Sequence, residues 1–492
     1  MAATLAYDSA LWLAPALLAL DLLVRIGIAL RVVMRRLPLS TTLAWLLLLL
    51  FVPFVGIVMY AMIGENRLGR RRAALAERLT AAIRHRAAAI WTGDGPRWRS
   101  EESETKQLIR LLTTVGGIPP LRGNRIELIS ETPAFLSRLV EDIDAAKEHC
   151  HLLFYIWSPL GRTEDVGRAL IRAAERGVSC RVLVDAVGSR AFLNGELCRE
   201  MRAAGVLVCA ALPVNPARML LARVDLRNHR KIVVIDRKIG YTGSHNLAEA
   251  DFAKKRWRRV GAWVDASLRI EGPAASALQA VFLGDWLLDS AEPHEEVERM
   301  ANRPVEWATE GCVVQVIPSG PSGECGRIQQ ALQGLIYAAD RELIMTTPYF
   351  VPDDAMRSAL CIAARRGVRV TIVVPLRPDA LLVAAASRAF FQELLDAGVK
   401  IRRFRKGLLH AKTITIDGEL GVITSVNMDM RSFFLNFEST VVVYDRRFAE
   451  QLRGLQQTYM LDAPEVSAGE WEHRPVAHRF IDNLAQLAAP LL

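Results

Sequence analysis

His229-Arg-Lys231-Ile-Val-Val-Ile-Asp236 and His410-Ala-Lys412-Thr-Ile-Thr-Ile-Asp417 are two copies of one pattern, H-x-K-x4-D, in a single chain of 492 residues. Each copy carries a polar tail at the same offset, Gly243-Ser244-His245-Asn246 after the first and Thr424-Ser425-Val426-Asn427 after the second. The β-branched run behind each lysine predicts a strand. Side chains alternate faces along a strand, so His229 and Lys231 point the same way, as do His410 and Lys412, Ser244 and Asn246, and Ser425 and Asn427. Asp236 and Asp417 have the opposite parity. They complete the motif but are expected to support their hairpins more than to do chemistry.

Those residue types suit transfer of a phosphodiester. One imidazole can attack phosphorus while another protonates the leaving alcohol, and two ammonium groups can hold the non-bridging oxygens. The candidate catalytic residues are therefore His229, Lys231, Asp236, His410, Lys412 and Asp417. The candidate phosphate-binding residues are Ser244, Asn246, Ser425 and Asn427. The chain has only nine histidines. A single chance copy of the pattern is expected in on the order of one in a hundred such chains, so two copies with matched tails mark a duplicated site. No dense carboxylate cluster of the kind a two-metal centre needs is present, and the lysines supply positive charge, so no metal and no cofactor is expected.

The rest of the chain repeats more loosely. Ala173-Ala-Glu-Arg-Gly177-Val-Ser-Cys-Arg-Val-Leu-Val-Asp185 parallels Ala363-Ala-Arg-Arg-Gly367-Val-Arg-Val-Thr-Ile-Val-Val-Pro375, each a helix, a glycine cap and an apolar strand. Leu152–Ile156 and Leu343–Thr347 read as the preceding strands. An α/β unit made twice follows, with residues 116–295 as the first half, 305–492 as the second, and the polar stretch Glu292–Pro304 between them.

Hydrophobic residues make up 51% of the chain, and the formal net charge is +9, which favours an anionic partner. The seven cysteines are scattered without a C-x2-C pair, which argues against a zinc site or a disulfide framework. Leu43–Ile63 has no charged residue and at ~1.5 Å per residue could cross a ~30 Å hydrocarbon core. Ala10–Met34 is apolar but interrupted by Asp21, Arg25 and Arg31. Asp21 and Arg25, four apart, can neutralise each other on one helix face. Residues 9–63 are thus expected to form a two-span transmembrane hairpin, followed by a basic juxtamembrane linker over 64–115. Arg67, Arg70, Arg71, Arg72, Arg78, Arg84 and Arg86 are expected to put the large C-terminal part on the cytoplasmic side of the membrane and to offer contacts to anionic headgroups. Pro213–Arg230 and Lys254-Lys-Arg-Trp-Arg-Arg259 mix apolar and basic side chains as at a lipid interface, and Phe480–Leu492 has helical apolar spacing.

The doubled motif resembles that of the phospholipase D superfamily. Tyr155-Ile-Trp157, Asp225–Lys231, Tyr241–Ser244, Met345-Thr-Thr-Pro-Tyr-Phe-Val-Pro352, Ser387–Phe391, Asn427–Ser432 and Asn436-Phe-Glu438 extend the likeness to the bacterial cardiolipin synthases, over nearly the whole chain. The resemblance implies two pseudo-symmetric α/β/α sandwiches sharing one active site. It implies phosphatidylglycerol as donor and acceptor, anionic membrane lipids as surroundings, and no nucleic-acid partner; oligomeric state is left open. A membrane-bound phospholipase D or another phosphatidyltransferase would use the same site. It further implies His229 as nucleophile, His410 as acid/base, and Asp265 and Glu438 as the carboxylates that orient the two histidines. Thr424 stands where the family has glycine, and its Cβ and hydroxyl are expected to crowd the second phosphate pocket.

Overall fold

In a computed structural model, the chain is described over residues 2–35, 39–52, 54–65, 67–69, 103–213, 223–252, 260–293, 310–321 and 326–487, with isolated positions between them. Two compact units emerge: residues 1–73 with 214–225, and residues 74–213 with 226–492.

The first unit is helical: Ala2–Met34, Leu39–Phe51 and Val55–Ile63. Asp21 and Arg25 pair across one helical turn at 2.6 Å, as their spacing predicts. Glu65 accepts from Arg31, from Arg35 at 2.9 Å and from the Tyr60 hydroxyl at 3.0 Å. Arg223 N–H donates to the Arg67 carbonyl at 2.8 Å, so the chain just ahead of the first motif belongs to this unit. The span expected over Leu43–Ile63, where Pro53 can kink a helix, is not one continuous helix. Two helices of 13 and 9 residues, Leu39–Phe51 and Val55–Ile63, take its place; Pro53 itself lies outside the described residues. Among the described residues, no helix is long and apolar enough to cross a membrane by itself.

The second unit is built on one continuous sheet. The first half contributes β1 (Leu121–Ile129), β2 (His149–Phe154), β3 (Ser179–Asp185), β4 (Leu207–Ala211), β5 (Arg227–Asn228), β6 (Ile232–Ile235), β7 (Ile239–Gly243), β8 (Trp263–Val264) and β9 (Ser267–Glu271). The second half contributes β10 (Cys312–Ser319), β11 (Glu342–Thr346), β12 (Phe350–Val351), β13 (Arg369–Pro375), β14 (Lys400–Phe404), β15 (Leu408–Leu409), β16 (Thr413–Ile416), β17 (Leu420–Thr424), β18 (Met428–Asp429) and β19 (Asn436–Tyr444). The order is β14-β13-β11-β16-β17-β19-β10-β1-β9-β7-β6-β2-β3-β4. Read outward from the antiparallel β10/β1 seam, both directions give the same succession of strands. The duplication seen in the sequence is therefore a pseudo-twofold, and the halves are joined through shared backbone hydrogen bonds.

Helices cover both faces. In the first half, Thr132–Asp144 and Arg162–Glu175 bury Phe135, Leu139, Val166 and Leu170 against one face, while Pro273–Asp289 lies on the other. In the second half, Arg327–Tyr337 and Asp354–Arg365 lie on one face and Arg446–Leu461 on the other. The last helix and Pro273–Asp289 share a single apolar cluster with Val314 and Val316 at the seam. The helix Ser103–Gly116 lies within the stretch read as linker, yet Leu108, Leu112 and Val115 pack into the core of the second half. Its apolar face supplies the reason, since an amphipathic helix is stabilised by burying that stripe. Gly177 and Gly367 both take positive φ, at 88° and 95°, and close their helices with matched bonds (Val178 N–H to Ala173 C=O, Val368 N–H to Ala363 C=O).

The two motif aspartates shape the hairpin turns. Asp236 and Arg237 have φ of 49° and 58°, and Asp417 and Gly418 have 55° and 71°, the signature of a type I′ turn. The Asp236 carboxylate accepts from the backbone N–H groups of Lys147, Glu148 and His149 at 2.8–2.9 Å. That of Asp417 accepts from Asp340, Arg341 and Glu342 at 2.7–2.9 Å. Each ties the hairpin to the start of β2 or β11. Asp417→Ala is expected to lower stability by about 1–3 kcal/mol, because three N–H groups lose their acceptor, while turnover per folded molecule is retained. Thermal unfolding of the full chain in detergent measures this; an unchanged midpoint would refute the turn role.

Candidate active site

The site is assembled at the two places where one half reaches into the other. β5, just ahead of His229, runs parallel to the start of β19 with Arg227 opposite Asn436 and Asn228 opposite Phe437. The next step of that register sets His229 beside Glu438. β15, just ahead of His410, runs parallel to β8 with Leu408 opposite Trp263 and Leu409 opposite Val264, which sets His410 beside Asp265. Backbone bonds lock both pairings: His229 N–H to Phe437 C=O at 2.9 Å and His410 N–H to Val264 C=O at 2.8 Å. Each half therefore supplies the carboxylate for the histidine of the other.

His229 Nδ1 lies 3.0 and 3.1 Å from the two Glu438 oxygens and 3.1 Å from the Ser425 carbonyl. His410 Nδ1 lies 2.6 Å from Asp265 Oδ1. Acceptors at Nδ1 fix the Nδ1–H tautomer and leave Nε2 as the ring nitrogen with a lone pair. Burial lowers the His229 pKa to about 4, with Glu438 opposing. Burial and the Lys412 charge lower that of His410 to about 3. Burial acts to raise the pKa of both carboxylates, yet the facing imidazoles and lysines outweigh it and hold Asp265 and Glu438 below the ordinary carboxylate range. Neutral imidazoles thus face ionised carboxylates.

Lys231 Nζ donates to the His229 carbonyl at 2.6 Å and Lys412 Nζ to the His410 carbonyl at 2.7 Å. Each ammonium is held beside its own histidine with further protons to give. Burial, reinforced by the opposing Lys412 charge, lowers Lys231 to about 7. Burial lowers Lys412 to about 8. Lys412 acts on His229, and Lys231 on His410, so the two motifs form one electrostatic cluster. An anionic phosphate entering it would restore charge to both lysines.

The polar tails divide. The Ser244 hydroxyl donates to Asp265 at 2.6 Å and accepts from Ala266 N–H at 2.9 Å. The Ser425 hydroxyl donates to Glu438 and accepts from Ser439 N–H at 2.9 Å. Both serines, expected at the phosphate, spend their hydroxyls on the carboxylates. Asn246 Oδ1 accepts from Ile156 N–H at 3.2 Å, and Asn427 Oδ1 is buried without a partner among the described residues. Asp236 and Asp417, included in the candidate catalytic set, sit on backbone N–H groups at the hairpin turns instead, because their parity turns them from the face that carries His and Lys. Thr424, which could crowd the second phosphate pocket, has its side chain hydrogen-bonded within the second half. Its hydroxyl meets Thr440 Oγ1 at 2.6 Å and the Ser439 carbonyl at 3.2 Å. At the matching Gly243, a Cβ would stand 2.4 Å from Ser267 Oγ, so glycine is required only in the first half.

Several contributors were not read as site residues, although Tyr155, Asn228 and Arg230 lie in stretches that carry the resemblance. Trp263 stacks on the His410 ring at 4.8 Å, and Tyr155 meets the His229 ring edge-on at 5.1 Å. Buried Arg230 donates to the Glu438 carbonyl at 2.9 Å and pairs with Asp285, which also accepts from Asn228 Nδ2 at 2.9 Å. An aspartate inside the apolar run Phe282-Leu-Gly-Asp285-Trp286 was the available signal. Of the basic stretches read as lipid contacts, Lys254–Arg259, the middle of Pro213–Arg230, Arg70, Arg71, Arg84 and Arg86 lie outside the described residues. Among the described residues no group of three His, Cys, Asp or Glu side chains is placed to hold a metal ion.

A family model described as "Cardiolipin synthase, PLD-like domain" matches residues 139–286 and 332–457, and one described as "Phospholipase D-nuclease N-terminal" matches 26–65. The chain is 42% identical over 479 residues to proteins named cardiolipin synthase A from Yersinia pseudotuberculosis serotype O:1b (strain IP 31758) and Yersinia pestis bv. Antiqua (strain Angola), covering 95% of this chain and 96% of each relative. Among solved structures, a phosphatidylserine synthase from Haemophilus influenzae Rd KW20 superposes with a TM-score of 0.58 at 15% identity, covering 79% of this chain and 100% of that one. At that identity the likeness extends to the fold.

The electrostatics set a pH profile. For phosphodiester turnover, kcat/KM is expected to rise through about pH 4 as His229 loses its proton. It should fall from about 7 to about 8 as Lys231 and Lys412 lose theirs. A profile flat to pH 10 would remove the lysines from phosphate binding. Glu438→Gln, which keeps the shape but loses the charge holding Nδ1–H, is expected to lower kcat by at least about a hundredfold.

Proposed function

Because the chain belongs to the cardiolipin synthase family with phospholipase D-like domains, we propose that it is a phosphatidyltransferase that joins two phosphatidylglycerol molecules into cardiolipin and releases glycerol. The observation that carries the mechanism is the cross-half pairing of His229 with Glu438 and His410 with Asp265.

In the first step His229 Nε2 attacks phosphorus. The P–N bond forms, the P–O bond to glycerol breaks, and His410 gives the departing oxygen its proton. The anionic substrate raises the proton affinity of His410, which is low in the empty site, and Asp265 stabilises the resulting imidazolium. In the second step His410 takes the proton from a hydroxyl of another phosphatidylglycerol. That oxygen attacks phosphorus and the P–N bond breaks, restoring both rings. Lys231 and Lys412 face the oxygens on which charge accumulates, with the side-chain amide N–H groups of Asn246 and Asn427 as further donors. A phosphodiester is exchanged for a phosphodiester, so the reaction needs no high-energy donor. Burial of the rings and lysines limits water, which would divert the intermediate to phosphatidic acid.

The same reading places the enzyme at the inner membrane with its catalytic unit facing the cytoplasm. It treats the N-terminal helices as a two-pass hairpin, the second pass made of Leu39–Phe51 and Val55–Ile63 in series. What supports this is their apolar composition, the paired Asp21 and Arg25, and the arginines that follow Ile63.

Detergent-purified protein given phosphatidylglycerol alone is expected to yield cardiolipin and glycerol in equal amounts by mass spectrometry; phosphatidic acid as main product would overturn the transfer reading. His229→Ala and His410→Ala should each reduce product by at least about a thousandfold with unchanged thermal unfolding. Chelator is expected to leave turnover intact, and a clear loss would point to a metal route.

A further inference from the structure

The helix Val476–Gln486 is docked through Asp482 and Ala485, its buried residues. Asp482 is 1% exposed and accepts from Arg388 at 2.7 and 3.0 Å and from Arg474 at 2.8 Å. The opposite side carries Val476, Phe480, Leu484 and Leu487, spaced four, four and three apart and hence on one stripe. Val476, Phe480 and Leu487 are 77, 67 and 73% exposed. A water-surrounded domain gains by turning such a stripe toward its core, and this one is turned away.

The neighbouring helix Leu381–Ala389 supplies Arg388 and begins with two more exposed side chains, Leu381 and Leu382, the first 85% exposed. Two residues earlier, Asp379 accepts from the half-buried Tyr349 hydroxyl at 2.6 Å, and its charge acts on Lys412. The apolar surface therefore begins beside the catalytic cluster. Its charge is one-sided: Arg388, Arg403, Arg474 and Arg479 act on one another there, against the carboxylate of Asp482.

Building on the lipid-substrate reading above, we infer that Val476–Gln486 with Leu381 and Leu382 is an interfacial membrane contact of the catalytic unit, selective for an anionic bilayer surface. An apolar stripe flanked by guanidinium groups seats in the headgroup region, with hydrocarbon below and negative charge at its rim. The contact would hold the second half against the layer from which phosphatidylglycerol is drawn.

Hydrogen exchange of the full chain in nanodiscs tests this. Amides of residues 476–487 are expected to exchange at least about tenfold more slowly in discs containing phosphatidylglycerol than in purely phosphatidylcholine discs. Equal exchange in both would overturn the inference. In a second test, Phe480→Glu/Leu484→Glu is expected to lower turnover of phosphatidylglycerol in vesicles about tenfold, while turnover of a short-chain phosphatidylglycerol dissolved as monomers stays unchanged. Unaltered vesicle turnover, or a shift of a detergent-stable dimer to monomer with vesicle turnover retained, would assign the stripe to something other than lipid. Should the unaltered chain fail to convert even dissolved phosphatidylglycerol, the proposed activity falls, and the nanodisc exchange still decides the surface.

Discussion

Two hydrogen bonds between an imidazole of one half and a carboxylate of the other organise this molecule. His229–Glu438 and His410–Asp265 are buried, and a buried carboxylate is costly unless its charge is answered. Here each is answered by a ring N–H, a serine hydroxyl and a nearby ammonium. The arrangement explains why two short parallel pairings stand beside the main path of the large sheet. β5 against β19 and β15 against β8 are only two residues long, yet they set the register in which histidine meets carboxylate.

The lysines present the complementary problem. Two ammonium groups in one dry pocket repel each other and lack water, so their charge is held loosely until an anion arrives. In the proposed reaction, substrate binding and site ionisation are thus one event: the phosphate is attracted most strongly where the empty pocket is least content. The asymmetry between halves sits around this core. The first motif is flanked by Asn228 and Arg230, clamped through Asp285; the second is flanked by Leu409 and Ala411, packed among apolar neighbours.

Much of this was legible in the chain because duplication supplies its own control. A strand, a glycine-capped helix and a second strand recur in both halves, and matched offsets tied His to Lys by strand parity. Parity also separated Asp236 and Asp417 from the chemistry. What stayed hidden depended on long-range register. Nothing local says that Ser244 and Ser425 spend their hydroxyls on carboxylates, or that the β10/β1 edges fuse two sandwiches into one sheet. The helix Ser103–Gly116 was lost among arginines because its apolar stripe is short and follows a basic stretch. Within the apolar run Leu43–Ile63, Pro53 marked a kink in the sequence, but hydropathy alone does not say that the run divides into two helices.

The exchange of carboxylates across the seam has a kinetic meaning. Neither half owns a complete imidazole–carboxylate pair, so an isolated half could act only by capturing a second copy, at a rate set by dilution. Joining the two in one polypeptide replaces that encounter with a tether, and the effective concentration of one lobe near the other no longer depends on how much protein the cell makes.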